Sequence, residues 1–131
     1  MQAEAIKLID KCIEVLERDG WVKGMYHNGS DSPHCVVGAL HVAAFGYCEL
    51  PAQLGKVEES AVYYYTYRHI AQHLGEHRRG HGEMEPEHWN DQVATSKEEV
   101  IEMLNHCKFH MLRTAEMAVR PWPEVPQTAA A

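Results

Sequence analysis

The segment from Cys35 to Phe45 constrains the fold more than any other part of the chain. It reads CVVGALHVAAF and is apolar on nearly every side. A helix that is apolar all round is normally buried on most of its surface. The segment is also too short to cross a bilayer, which needs about 20 apolar residues. We therefore predict a central helix over residues 33–45 that other helices enclose.

Three further helices are predicted from apolar residues that recur at spacings of three and four. They cover residues 3–18, 58–74 and 95–119. The last begins with the Thr95-x-x-Glu98 pattern of a capping box. We predict an all-α single domain of about four helices over residues 1–120, followed by a Pro- and Ala-rich tail over 121–131.

The connections carry two local signals. Ser32 and Pro33 form a typical helix start, with serine as the N-cap and proline in the first turn. Residues 75–94 are polar and rich in His, Gly and Glu, which predicts a long loop with one helical turn near Pro86. A loop of this length in a compact domain is usually either functional or mobile.

Charge and cysteine usage narrow the class of protein. The net charge of −7, with 10 histidines counted as neutral, argues against binding to nucleic acid or anionic membranes. The four cysteines form no C-x-x-C pair, and the chain starts without a basic, apolar leader pattern. We expect reduced thiols, a cytoplasmic location, and a protein partner or a homo-oligomer.

Four short motifs together resemble one protein family. In chain order they are Asp19-Gly20-Trp21-x-x-Gly24, Cys35-x-x-Gly38-Ala39-Leu40, Trp89-Asn90-Asp91 and the segment from Thr95 to Val100. Their order and spacing resemble a family of small proteins of unknown function from actinobacteria and their phages, over roughly residues 4–118. The resemblance implies a helical cytosolic domain encoded by a bacterium or a phage, and it implies no activity.

The histidine-rich segment suggests a metal site. His69 and His73 are four residues apart on one face of the predicted third helix, and His77 follows. Imidazoles at this spacing can bind one divalent ion such as zinc, and a nearby glutamate could complete the site. The competing interpretation is a solvated polar face. No other cofactor is expected.

Several apolar side chains fall outside the predicted apolar stripes. Exposed aromatic residues beside polar ones can mark a contact surface. On the last helix, His106 and His110 are interpreted as ordinary surface histidines next to this predicted contact surface. The predicted contact surface, which we call the aromatic surface, consists of Tyr64, Tyr65, Phe109 and Met117.

Cys35 supports a third hypothesis. At the start of the central helix, backbone N–H groups would stabilise a thiolate, and His34 precedes it in the sequence. A Cys–His nucleophile is one interpretation, and a buried cysteine is the other. The sequence shows no Gly-rich phosphate loop and no Ser-His-Asp signature. Our leading prediction is therefore a non-enzymatic accessory or interaction protein, with metal binding and a thiol-dependent enzyme as alternatives.

Overall fold

The fold is all-α, as predicted. The structure is a computed structural model that describes residues 1–24, 32–46, 57–80 and 82–119, without the side chains of 57–60, 78–79 and 114–119. The predicted tail over 121–131 lies outside the described residues. The elements are α1 (Gln2–Asp19), α2 (Val36–Phe45), α3 (Val57–Leu74), a π-helical turn (Gly75–Arg79), α4 (Pro86–Gln92) and α5 (Lys97–Val119). Within this described part, no helix is both long and apolar enough to cross a membrane.

Helix α2 is the enclosed centre of the domain. Every residue from Val36 to Val42 is buried, and α2 packs against α1, α3 and α4. Its one strongly polar residue, His41, packs edge to face against Tyr63, with 4.6 Å between ring centroids. The prediction of a central buried helix is confirmed, because an apolar surface on all sides is satisfied only when neighbours cover it.

The start of α2 differs from the prediction. The helix begins at Val36, three residues beyond the predicted start at residue 33. Cys35 is its N-cap, and the Sγ atom accepts a hydrogen bond from the Gly38 N–H at 3.3 Å. The cysteine thus has the capping role that the sequence assigned to Ser32.

The reason lies in the backbone of His34. Its N–H donates to the Gly20 carbonyl at 3.1 Å, and its carbonyl accepts from the Val22 N–H at 3.0 Å. These two bonds form a parallel bridge between His34 and Trp21. Because this pairing requires extended backbone, the helix cannot begin before Cys35.

The cap of α5 is shifted by one residue. The helix begins at Lys97, and the Glu99 N–H donates to Ser96 Oγ at 3.1 Å. The Glu99 carboxylate accepts from the Thr95 N–H at 2.8 Å. The predicted capping pair of Thr95 and Glu98 is therefore wrong. Ser96 and Glu99 have the same spacing: Ser96 caps the Glu99 N–H in the first turn, and the Glu99 carboxylate accepts from the Thr95 N–H just before the helix.

Most of the predicted loop over 75–94 is helical. The π-helical turn follows α3 directly, and α4 occupies Pro86–Gln92. Trp89 on α4 is fully buried in the core. One buried tryptophan anchors this short helix, whereas the prediction relied on repeated apolar spacing, which a segment of this length lacks.

Candidate metal centre

Three histidines from two regions of the chain converge at one end of the domain. His73 lies in the last turn of α3, His77 in the π-helical turn and His110 on α5. Each offers a ring nitrogen, and these nitrogens all lie within 4.8 Å of one another. Tetrahedral zinc with Zn–N bonds of about 2.0–2.1 Å holds nitrogens about 3.3 Å apart. Small side-chain movements would therefore place one nitrogen of each ring within bonding distance of a single zinc ion. We call these three residues the histidine cluster.

The rings of the histidine cluster lie against each other. The centroids of His77 and His110 are 4.3 Å apart at an interplanar angle of 27°, and those of His73 and His77 are 4.8 Å apart. Partial desolvation by its neighbours lowers the pKa of His110, and the charges of His77, His106 and Arg113 lower it further. The neutral form of His110, which is the form that binds metal ions, is therefore favoured.

The cluster is open to solvent on one side. His73 is buried, with 6% of its surface exposed, whereas His77 and His110 are exposed. They border a cavity of about 240 Å³. The other lining residues are Gln2, His69, Gln72, Glu76, Cys107 and Met111. All three histidines therefore line a cavity that an ion could enter, and His73 is the one held in the core.

The π-helical turn positions His77. Such turns are rare and occur frequently at functional sites. A Cβ atom on Gly75 would collide with the backbone of Gly82, so only glycine fits at the start of the turn. Next to this contact, the Met84 N–H donates to the Ala71 carbonyl at 3.0 Å. Close backbone packing therefore fixes the place where the helix widens, two residues before His77.

The structure brings together a different trio from the predicted one. His69 lines the same cavity, but its ring packs on Tyr65 at a centroid distance of 4.4 Å and is outside the cluster. Burial lowers the pKa of His69. His110 occupies the third place beside His73 and His77. Sequence reasoning noted the pair His106 and His110 but could not show that α5 turns His110 toward α3.

Cys35 caps helix α2, and His34 pairs with Asp19. Burial raises the pKa of the Cys35 thiol to about 11, so the thiol stays protonated near neutral pH. His34 is fully buried, and its Nε2 atom lies 2.9 Å from Asp19 Oδ2. Thiol chemistry requires an accessible thiolate. This geometry favours helix capping over catalysis at Cys35.

The residues of the aromatic surface have different environments. Tyr64 is 47% exposed and Phe109 is 54% exposed, whereas Tyr65 is half-buried. The side chain of Met117 lies outside the described residues. Leu112, which the sequence analysis did not single out, is 49% exposed one helical turn beyond Phe109. Phe109 and Leu112 therefore form an exposed apolar pair on α5, next to His110.

A second polar cluster surrounds Asn90 on α4 and includes the Val36 N–H at the start of α2. The Oδ1 atom of Asn90 accepts from Trp21 Nε1 at 2.6 Å and from the Val36 N–H at 3.0 Å. Its Nδ2 atom donates to the Val22 carbonyl at 3.2 Å and to Asp91 Oδ1 at 3.0 Å. Asn90 is fully buried. Its whole amide is used within the protein, which indicates a structural role.

Fold and cluster together define a small helical protein with a candidate site for a metal ion. The chain belongs to DUF6197, a family of unknown function whose model matches residues 1–109. No curated protein and no solved structure matches the chain. The family match includes His73 and His77 and ends one residue before His110. The actinobacterial or phage origin suggested by the motifs stays a prediction.

Proposed function

We propose that this protein binds one divalent transition-metal ion, with zinc as the first candidate, through His73, His77 and His110. The observation that carries the proposal is the convergence of three ring nitrogens from α3, the π-helical turn and α5. Three protein ligands from separated segments are the usual number in open zinc sites.

Packing alone does not account for the cluster. His77 and His110 are exposed, so the core does not need them to fill space. Adjacent imidazoles also repel each other once both are protonated. A solvated polar face would keep such groups apart, whereas a metal ion draws neutral imidazoles together.

The type of ligand selects the class of metal. Imidazole nitrogens suit zinc, copper and nickel, while magnesium and calcium prefer carboxylate and carbonyl oxygens. The converging group found among the described residues consists of histidines, and Glu76 is the carboxylate on the same cavity wall. We expect zinc to bind and magnesium not to compete.

Calorimetric titration of the metal-free full chain with zinc tests the proposal. We expect one ion per chain in the wild type and an affinity lower by about tenfold or more in His77→Ala and His110→Ala, since each removes a ligand. His106→Ala is the matched control, because it removes an exposed histidine from α5 outside the cluster.

His69→Ala separates the predicted trio from the observed one. We expect its zinc affinity to stay within about threefold of the wild type. Weakening by His69→Ala with no effect of His110→Ala would contradict the cluster assigned here. Absence of zinc binding by the wild type would contradict metal binding altogether.

We also propose a second role, self-association through the aromatic surface. Its support is the exposure of Tyr64 on α3 and, separately, of the pair Phe109 and Leu112 on α5. Light scattering after size exclusion tests it with Phe109→Glu, which places a charge in this apolar surface, and with Glu102→Gln as an exposed control on α5. A wild-type mass above one chain that falls only in Phe109→Glu supports the proposal. A single-chain mass for the wild type would overturn it.

We further propose a location in the cytosol of a bacterium or of a phage-infected host. Cys12, Cys35 and Cys107 are free thiols. Reduced cysteines are typical of cytosolic proteins. Fractionation of the host cell with an antibody against the chain tests this location, and recovery in a secreted fraction would contradict it.

A further inference from the structure

We propose that the histidine cluster is a hydrolytic centre, in which a zinc-bound water attacks small, uncharged carboxylic esters. This inference rests on the metal-binding function proposed above and extends it from binding to catalysis. It depends on three features of the described residues: the number of ligands, the composition of the cavity wall and the π-helical turn.

The number of ligands leaves a coordination position for water. Structural zinc sites are closed by four protein ligands, whereas catalytic sites have three protein ligands and a water molecule. In the part of the chain that the structure describes, three histidines converge, and all three line the cavity. The cavity of about 240 Å³ provides room for a reactant beside the ion.

The cavity wall indicates an uncharged substrate. Its described lining includes the amides of Gln2 and Gln72 and the carboxylate of Glu76, but no lysine or arginine. Phosphate and carboxylate groups are normally held by such cations, and Glu76 would repel them. The volume is below the roughly 300 Å³ at which pockets for drug-sized ligands begin. A small neutral ester fits both properties.

The π-helical turn carries a ligand and a carboxylate that line the same cavity. His77 and Glu76 are adjacent within Gly75–Arg79, and both line the cavity. The turn itself depends on the tight backbone contact at Gly75. A rare backbone element that carries two neighbouring polar groups is the arrangement expected of a functional site.

The reaction balances without any further reagent. Zinc lowers the pKa of its bound water, whose proton passes to the Glu76 carboxylate. The resulting hydroxide forms a bond to the carbonyl carbon, and the C–O bond to the alcohol breaks as the tetrahedral intermediate collapses. The leaving alkoxide takes the proton from Glu76, and a new water replaces the carboxylic acid on the metal.

Hydrolysis of p-nitrophenyl acetate by the zinc-loaded full chain tests the inference, with the rate of the metal-free protein subtracted. We expect a zinc-dependent release of p-nitrophenolate that His110→Ala abolishes. Glu76→Gln should lower this rate by about tenfold or more, because it removes the proton acceptor. Glu102→Gln, an exposed carboxylate of α5 away from the cavity, should leave the rate unchanged.

Zinc titration of the same samples separates the two proposals. Zinc bound by the wild type without a zinc-dependent rate overturns hydrolysis and leaves metal binding standing. A rate that survives in His110→Ala, or that is unchanged in Glu76→Gln at equal zinc affinity, also overturns the inference. Failure of the wild type to bind zinc overturns both proposals.

Discussion

The Asn90 cluster and the histidine cluster both join distant parts of the chain through polar side chains, but they do so in opposite ways. Asn90 is fully buried, and all its hydrogen-bonding atoms have partners inside the protein. The histidine cluster gathers three ligand atoms, and two of its members are exposed. A polar group that is buried and satisfied supports the fold. Ring nitrogens that converge at an exposed position instead form a binding site for a ligand.

Asn90→Ala should have the largest effect on stability. It leaves Trp21 Nε1 and the Val36 N–H without their acceptor and the Val22 carbonyl without its donor. Each buried orphan costs about 1–3 kcal/mol, so we expect a loss of about 4 kcal/mol in the free energy of unfolding. Urea denaturation measures it, with the exposed Gln92→Ala on the same helix as control. A loss below about 1 kcal/mol would contradict the claim that the hydrogen bonds of Asn90 support the fold.

Gly75→Ala should have an intermediate effect and is the one change that affects both stability and the histidine cluster. The added Cβ meets the backbone of Gly82, which has no flexible end to move aside. We expect a loss of about 2 kcal/mol. Because the π-helical turn sets the place of His77, zinc affinity should fall as well. Gly80→Ala separates backbone strain from a collision. An added Cβ there meets no described neighbour, but alanine is strained at the φ of 107°. If Gly75→Ala keeps wild-type stability and affinity, the turn is not held by this contact.

Asp19→Asn should have a smaller, pH-dependent effect. Hydrogen bonds from Arg18 and then from His34 lower the pKa of Asp19 from 3.8 to about 2. A lowered carboxyl pKa stabilises the fold above pH 3.8, and this contribution is lost as the pH falls toward 2. We expect a loss of about 1.5 kcal/mol near neutral pH. Denaturation curves at several pH values should show wild type and variant converging in acid. A difference that does not depend on pH would contradict the role of the charge.

His77→Ala and His110→Ala should have the smallest effect on the metal-free protein. Both side chains are exposed, so we expect changes within about 0.5 kcal/mol in the free energy of unfolding. With zinc present, the wild type should gain thermal stability that both variants lack. A large destabilisation without metal would show that these histidines support the fold, as Asn90 does, and the contrast between the two clusters would disappear.

The parts of the fold that depend on local pattern could be predicted from the sequence. The burial of α2 follows from its own residues, because an apolar helix surface must be covered. Its starting residue could not be predicted in this way, because the backbone of His34 pairs with Gly20 and Val22, which lie earlier in the chain. The structural role of Asn90 could not be predicted from the sequence for the same reason. Its partners Trp21 and Val36 are brought close only by folding.

The candidate site shows the same division. Spacing on one helix pairs His69 with His73, and His77 follows in the predicted loop, whereas in the structure His73 and His77 converge and His69 packs on Tyr65. His110 could not be assigned, because which face of α5 meets α3 is decided by the packing of the whole core. Two histidine pairs on different helices are a signal that one metal site could join them, and only the structure shows which members meet.

X-ray absorption spectroscopy of the protein loaded with one equivalent of zinc tests the central claim most directly. It reports the nitrogen shell of the metal and the outer-shell signal typical of imidazole rings. We predict three imidazole ligands at about 2.0–2.1 Å with one further light atom, and two imidazoles in His110→Ala. A wild-type spectrum with one imidazole or none, or one that His110→Ala leaves unchanged, would contradict a metal centre at His73, His77 and His110.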